Sequence, residues 1–579
     1  MSAELTKKSG EPVERDALDL AVASWFRRLG APSAIAELAL WANYADRQAN
    51  AAVSLQQIEH WSNTSPLTEV PKSEWILPAD QFGTLPVRPL VADDQQRVFL
   101  YRNYAGEHEV AERLIARLHV AESEPVAEES ILALFGPATD TDDALQREAV
   151  RRAAQHRLFV LAGGPGTGKT TTVFRMLLAA QASAADVALA APTGKAAQRL
   201  TEALRSEAGR HAGKSDLDTL RATTVHRWLI EMERGQVRSP KILVIDEASM
   251  LDLDLLRKVL RALDTDSRLI LVGDPNQLMS VGTGTVLGDL VESLRGLPQM
   301  VELQHNFRVA QSPQLVALNQ HALAGDADAL ISSLDGLRDV STRALLSSRV
   351  EQWADALADA MKIIAEQSEA AERARGYLEL SRQRQVLAAN REGPWGVGGL
   401  NRAIEARLLR ERQSDTSAVG NFEGRRVLVT QNHAPLNLFN GDIGVVTRDS
   451  NGEYQVWFEI LDTDGVLQLR PIPASAMPAN MSAWAMTIHK SQGSEFTNLD
   501  IVLPNEATSR ILSRQLIYTA VSRVKGTDNV TRVDQSIRIW GTPQVLASGL
   551  EEIATRTGGL RDMLQKGVRE LSAPVPRAT

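Results

Sequence analysis

Short runs of uninterrupted apolar residues recur through the middle of the chain: Leu158–Ala162, Val187–Ala191, Ile242–Ile245 and Leu269–Val272. Each is followed by small or polar residues and then by a helix-forming stretch. Runs that are apolar at every position are buried on both faces. Strands that alternate with helices predict a parallel sheet with helices on either side. The pattern returns with Val386–Ala389, Leu499–Leu503 and a helix over Arg514–Val524, which predicts a second sheet of the same kind. Between its parts the grammar changes. Gly424 to Pro473 reads as short strands (Arg426–Thr430, Gly444–Thr447, Glu453–Phe458, Val466–Leu469) separated by Asn-Gly-Asp, Ser-Asn-Gly and Asp-Thr-Asp-Gly turns. That is hairpin grammar and predicts a small inserted β-barrel. Residues 1 to about 115 show helical spacing over Leu18–Trp25, Ala34–Tyr44 and Val53–Trp61. Trp25, Trp41, Trp61 and Trp75 lie there, open to two readings: core packing, the commoner fate, or an exposed docking face.

The fold class is therefore α/β. Residues 144–300 and 301–423 with 480–579 form two parallel-sheet domains, with the barrel at 424–479. A helical N-terminal domain at 1–120 is joined by an acidic linker at 121–143. With 579 residues there is room for several domains. The chain has no cysteine, which excludes disulfides, Cys-ligated zinc, iron–sulfur clusters and thiol catalysis, and fits the cytoplasm. No apolar run approaches the ~18–20 residues of a membrane span, and Met1–Asp16 lacks a signal-peptide apolar core. The formal net charge of -9 rules out a general polyanion binder, so any nucleic-acid contact is a local groove.

The chemistry sits at the strand ends. Leu158–Ala162 runs into Gly163-Gly164-Pro165-Gly166-Thr167-Gly168-Lys169-Thr170, followed by Thr171 and a helix. Strand, glycine loop and helix together make a phosphate-binding loop for a nucleotide such as ATP. Its backbone N–H groups and the helix N-terminus converge on the phosphates, Lys169 reaches the β- and γ-phosphates, and the Thr170 hydroxyl ligates Mg²⁺. Asp246 and Glu247 follow the third run; there a carboxylate supports Mg²⁺ and its neighbour orients or deprotonates the attacking water, although the pair also suits a helix N-cap. Gln277, after Gly273-Asp274-Pro275-Asn276, is a candidate γ-phosphate sensor or a plain loop amide. Gln146, just upstream of the loop strand, faces either an adenine edge or solvent. Arg308 and Arg523 are, taken alone, a surface charge and a helix-end charge; beside a nucleotide each becomes a candidate finger.

These segments, in this order, resemble the motifs of superfamily 1 helicases. The phosphate loop corresponds to motif I, Ala191–Ala197 to Ia, Thr223–His226 to Ib and Asp246–Ser249 to II. Gly273–Gln277 resembles motif III, Asn306–Arg308 motif IV, Thr487–Phe496 motif V and Tyr518–Arg523 motif VI. Asp246–Met250, Ala388–Gly396, Phe439–Gly444 and Leu100–Tyr104 with Glu107 are similar to the RecD family, the alpha subunits of exonuclease V (RecBCD) in superfamily 1B. The resemblance implies two RecA-like domains, an SH3-like insertion and an N-terminal domain that docks on RecC. It implies an ATP- and Mg²⁺-dependent 5′→3′ motor on single-stranded DNA and DNA ends, working with RecB and RecC in break repair, with the nuclease on RecB. By the same resemblance Lys169, Glu247, Gln277, Arg308 and Arg523 act on the nucleotide, and Pro192, Thr193, His226, Thr487 and His489 touch the strand. Nineteen residues separate His226 from Asp246, where relatives often carry a longer strand-splitting hairpin. A stand-alone superfamily 1B helicase, a scaffold with a vestigial site and an RNA motor are the alternative readings.

Overall fold

The computed structural model describes residues 13, 15–62, 67–118, 125–136, 143–210, 216–307, 313–334, 336–411, 420–436, 438–461, 467–507, 509, 511–525 and 536–572. Strands are numbered in chain order. The N-terminal region holds β1 (Ala52–Ser54), β2 (Ile76–Pro78), β3 (Leu90–Ala92) and β4 (Arg97–Leu100). The first large sheet holds β5 (Leu158–Gly163), β6 (Val187–Ala191), β7 (Ala222–Thr224), β8 (Ile242–Ile245), β9 (Arg268–Gly273) and β10 (Met300–Leu303). The later strands are β11 (Arg384–Ala388), β12 (Arg426–Val429), β13 (Ile443–Arg448), β14 (Tyr454–Leu461), β15 (Leu467–Pro473), β16 (Asn480–Ser482), β17 (Ala485–Thr487), β18 (Asn498–Val502) and β19 (Ile537–Trp540).

The first sheet has the order β10-β5-β9-β8-β6-β7, and all its pairings are parallel. Every residue of β5 is buried because both faces are covered. Alternate side chains go to opposite layers. Leu158, Val160 and Ala162 join one core with Leu243, Ile245, Leu269 and Leu271. Phe159 and Leu161 join the other with Val244, Ile270 and Val272. The register sets Ala162 opposite Gly273 and Leu303 opposite Gly163. The chain therefore leaves β5, β9 and β8 along one edge, and it is at such an edge that open α/β sheets bind ligands.

The second sheet, β17-β11-β18-β19, is also wholly parallel. Its β18 buries Asp500 at 1% exposure. The carboxylate accepts from Trp353 Nε1 (3.0 Å), Trp540 Nε1 (3.0 Å), and Arg538 Nε (2.7 Å) and Nη2 (2.9 Å). A buried charge so fully paired is costly to half-remove. Asp500→Ala is expected to destabilise the chain by about 3 kcal/mol, read by denaturant unfolding, because it strands Arg538 and two indole donors.

Between β11 and β17 lies the inserted sheet β15-β14-β13-β12-β16, antiparallel throughout. One face buries Val427, Val429, Val446, Val456, Phe458 and Ile472. Its pairing is that of an open five-stranded sheet, with β15 and β16 at opposite edges, where the turn pattern predicted a barrel. β16, only three residues long, is too short for its pattern to show in the sequence.

Three further expectations need correction. The N-terminal region is helical only in part. Ala17–Arg28, Ser33–Arg47, Leu55–Ser62 and Tyr101–Leu118 are helices, but a mixed sheet of order β1-β4-β3-β2 packs among them. Strands of three or four residues give alternation no length in which to show. Trp41 is in the core, Trp61 and Trp75 are half-buried, and Trp25 is 53% exposed. Within the stretch read as linker, Glu128–Phe135 is a helix that buries Ile131 against the core beside β5. Finally, the chain end does not stay with the second sheet. After the helix Pro543–Glu551 it crosses back, and Leu560–Ser572 packs Leu560 and Leu564 into the first domain's core with Val110 and Leu114.

That crossing is pinned by polar contacts. Ala51 N–H donates to Thr557 O (2.9 Å), Thr557 N–H to Asn50 Oδ1 (2.8 Å) and Gly559 N–H to Glu107 Oε2 (2.8 Å). Burial pushes the Glu107 carboxyl up to about 8, with nearby Asp289 adding to the shift and the Gly559 N–H opposing it. The folded chain thus holds a proton on Glu107 that the unfolded chain releases above its ordinary value. Between about pH 5 and 8 the unfolded state binds fewer protons, so stability falls as pH rises. Glu107→Gln is expected to flatten this slope in thermal unfolding followed across that range. An unchanged slope would place the titrating group elsewhere.

Candidate nucleotide cleft

β5 ends at Gly163, and the loop that follows needs backbone shapes that a side chain resists. Gly166 has φ 82 and Gly168 φ 78, both left-handed. A Cβ on Gly168 would stand 2.5 Å from Gln146 Nε2 and 3.6 Å from the Phe307 ring; one on Gly163 would stand 2.8 Å from Thr167 Oγ1. The loop is braced by Thr167 Oγ1 donating to Gly164 O (2.9 Å), Thr172 Oγ1 to Gly168 O (2.9 Å) and Gln146 Nε2 to Thr167 O (3.1 Å). Gln146 is 4% exposed, so solvation, one of its two readings, does not describe it; its amide braces the loop. Asn306 Nδ2 donates to Pro165 O (3.0 Å), and Phe307 N–H donates to Gly166 O (3.0 Å). Arg308 lies outside the described residues.

Lys169 opens the helix Lys169–Ala179, with Thr170 and Thr171 behind it. Its ammonium rests on Gly163 O and Gly164 O, both at 2.8 Å. Two carbonyls give a cation partial charges only, and a phosphate oxygen offers a full one. Across the edge, Asp246 is pushed up to about 6 by burial and by its neighbour Glu247, against the pull of Lys169 and Arg199. Its Oδ1 accepts the Glu247 N–H at 2.9 Å. Glu247 sits at φ 53, a left-handed setting that non-glycine residues rarely take and that concentrates at functional sites. Glu247 stands at the N-cap position of the short turn Ala248–Met250, but its side chain makes no capping hydrogen bond there and so is not spent on the helix end. Asp246 and Glu247, partly buried at the end of β8, and the Thr170 hydroxyl after the phosphate loop are hard oxygen donors of the kind that fits Mg²⁺.

The second sheet closes the cleft. Arg523, just past the helix Arg514–Val521, is 3% exposed. Its Nε donates to Thr519 O (3.1 Å) and its Nη2 to Ser522 Oγ (3.0 Å). Burial lowers its pKa, while the nearby charge of Glu247 raises it. Gln277 Nε2 donates to Asp274 Oδ2 (3.1 Å). The Tyr518 hydroxyl donates to the same oxygen from across the cleft (2.9 Å).

A family described as an AAA domain matches residues 142–342, and one described as a UvrD-like helicase C-terminal domain matches residues 482–527. The RecBCD enzyme subunit RecD of Mycolicibacterium smegmatis is 35% identical over 527 residues, 86% of this chain and 88% of that protein. The chain belongs to the RecD family. The RecBCD subunit RecD of Haemophilus influenzae is 27% identical, over 88% of this chain and 85% of its own length. The ATP-dependent RecD2 DNA helicase of Deinococcus radiodurans is 31% identical, but over 66% of this chain and only 47% of its own length.

In this RecD-family chain the expected strand-contact residues also lie at sheet edges. Pro192 and Thr193 follow β6, and Thr193 Oγ1 accepts the Ala196 N–H (3.2 Å) at the start of the next helix. Thr487 ends β17, is buried, and accepts the Lys490 N–H (3.2 Å). His489 follows, its pKa lowered by burial and then by Arg391 and Arg556. The two groups are brought together. Gly493, past His489, approaches Ala196, and Arg199 pairs with Glu495 at 3.1 Å. His226 is exposed in the first turn of the helix Val225–Glu233, which follows β7 at the outer edge of the first sheet.

Sequence reasoning missed several contributors. Asp274 and Tyr518 lie inside motifs whose local sequence gives neither a role of its own. Phe439, in the insertion, packs 3.5 Å from the position a Gly194 side chain would take. Lys195 beside it is pushed down to about 8 by burial and by Arg199. Nothing in the local sequence pairs these residues. Among the described residues no helix is long and apolar enough to cross a membrane.

Proposed function

We propose that this chain is an ATP-dependent DNA helicase, the motor subunit of a RecBCD-type complex, which moves 5′→3′ on single-stranded DNA. The observation that carries the reading is its match to RecD subunits over nearly their whole length. The cleft supports it with a phosphate loop on one sheet and a buried arginine on the other. The identity to the Mycolicibacterium RecD subunit, 35% over 86% of this chain against 31% over 66% for the Deinococcus RecD2 helicase, favours a complex-bound subunit over a stand-alone enzyme.

On this reading ATP lies between two RecA-like domains. Gly163, Gly164, Gly166, Thr167, Gly168 and Thr171 cradle the phosphates with backbone N–H groups, Pro165 shapes the loop between them without a donor of its own, Gln146 stands by the base, and Lys169 neutralises the β- and γ-oxygens. Thr170 and Asp246 would hold Mg²⁺, which would supply further positive charge to the phosphates. Glu247 orients and deprotonates the attacking water. Gln277 contacts the γ-phosphate from the first domain and Arg523 from the second, with Arg308 as a further cation on it. Hydrolysis then requires closure, and reopening shifts the two grips on DNA in turn. Pro192, Thr193, His226, Thr487 and His489 hold phosphates and sugars, which carry little sequence information. The N-terminal domain docks on RecC.

The test is directional. Reconstituted with RecB and RecC carrying an inactivated RecB motor, the chain is expected to unwind duplexes with a 5′ tail and not those with a 3′ tail. A 3′ preference would overturn the polarity, and failure to co-purify with RecB and RecC would overturn the assembly.

A further inference from the structure

We infer that Tyr518 is a positioning residue for ATP hydrolysis, its hydroxyl fixing the Asp274 carboxylate, and through it Gln277, only when the two sheet domains are closed. The inference deepens the proposed function and rests on it. Tyr518 is 1% exposed, and a buried hydroxyl needs a partner. Its partner is not on its own domain. The bond runs to Asp274 Oδ2, 244 residues away, at the end of β9. The same oxygen receives Gln277 Nε2 at 3.1 Å. One carboxylate oxygen thus ties a residue of the second domain to the proposed γ-phosphate sensor of the first.

The surroundings make the tie specific. The next residue, Thr519, accepts the Leu278 N–H on its hydroxyl (2.8 Å), and Gln492 Nε2 donates to Leu278 O (3.2 Å). The second domain therefore holds the loop at both Asp274 and Leu278, with Gln277 between. The Gln277 side chain is 4% exposed, and its Oε1 has no hydrogen-bond partner among the described residues. Its orientation is set by the amide nitrogen on Asp274. The Tyr518 hydroxyl also stands 3.2 Å from the place a Gly164 side chain would take. It thus touches the phosphate loop and the Asp274 loop at once. Opening the cleft breaks this bond and leaves Asp274 held only from its own loop, by the Asn276 N–H on Oδ1 (3.0 Å) and by Gln277 on Oδ2, so the sensor is fixed from both sides only in the closed state.

The experiment is a double-mutant cycle on steady-state ATP hydrolysis by the full chain at saturating single-stranded DNA. Tyr518→Phe removes only the hydroxyl. It is expected to lower kcat about tenfold, the scale of one buried hydrogen bond to a charged group, and to leave the KM for ATP within about twofold. In an Asp274→Ala background the same change is expected to cost less than about twofold, because the hydroxyl acts through that carboxylate. If D274A does not yield folded chain, Gln277→Ala takes its place in the cycle. An unchanged kcat in Y518F, an equal loss in both backgrounds, or a raised KM at constant kcat would each overturn the inference. A wild-type chain without DNA-stimulated hydrolysis would instead overturn the proposed function itself.

Discussion

Lys169→Ala is expected to remove ATP turnover while leaving the chain folded. The ammonium lies within 2.8 Å of two loop carbonyls at the mouth of the phosphate loop. Those bonds contribute little to folding, since a half-exposed lysine gives up water for them. A triphosphate gives it far more to do. Charge builds on the β–γ bridging and γ-oxygens as the bond breaks, and a fixed cation in a water-poor cleft lowers that barrier directly. The expected loss in kcat is at least about 10³-fold, with a melting temperature close to that of the wild type. Normal turnover in K169A would remove the nucleotide from this loop.

Arg523→Ala should separate chemistry from binding. The guanidinium belongs to the second domain and is oriented by its own helix end through Thr519 O and Ser522 Oγ. ATP binds chiefly to the first domain, so its affinity is expected to change only a few-fold. An arginine that meets the γ-phosphate only on closure stabilises the transition state, and fingers of this kind contribute about 10³-fold or more to kcat. Rapid-mixing measurements of binding and single-turnover hydrolysis would read the two quantities apart. A loss confined to affinity would contradict the finger role.

How much of this was legible in the sequence follows from how local each feature is. The phosphate loop, Asp246-Glu247 and Gly273–Gln277 are runs of adjacent residues at the ends of apolar strands. One strand, one turn and one helix are enough to position each, and the sheet order then brings them to one edge. Tyr518 on Asp274 and Arg199 on Glu495 are contacts between residues hundreds of positions apart. No periodicity encodes them; they exist only once two domains have met. The N-terminal sheet stayed hidden because its strands are shorter than the window in which alternation can be seen. The return of Leu560–Ser572 to the first domain stayed hidden because an amphipathic helix states that it has a partner and not which one.

The insertion shows the same limit from the other side. Its turns were plain, and its strands fall where those turns place them. What the turns did not carry is the contact that ties it to the first domain, Phe439 against Gly194 beside Lys195. That contact joins the insertion to the helix that follows Pro192 and Thr193. On the proposed reading, the insertion therefore borders the path of the strand.

The most direct test of the motor reading is ATP hydrolysis by the full chain with and without single-stranded DNA. The account predicts turnover that rises severalfold or more with DNA and vanishes in K169A. Hydrolysis indifferent to DNA, or none at all with the phosphate loop intact, would contradict it.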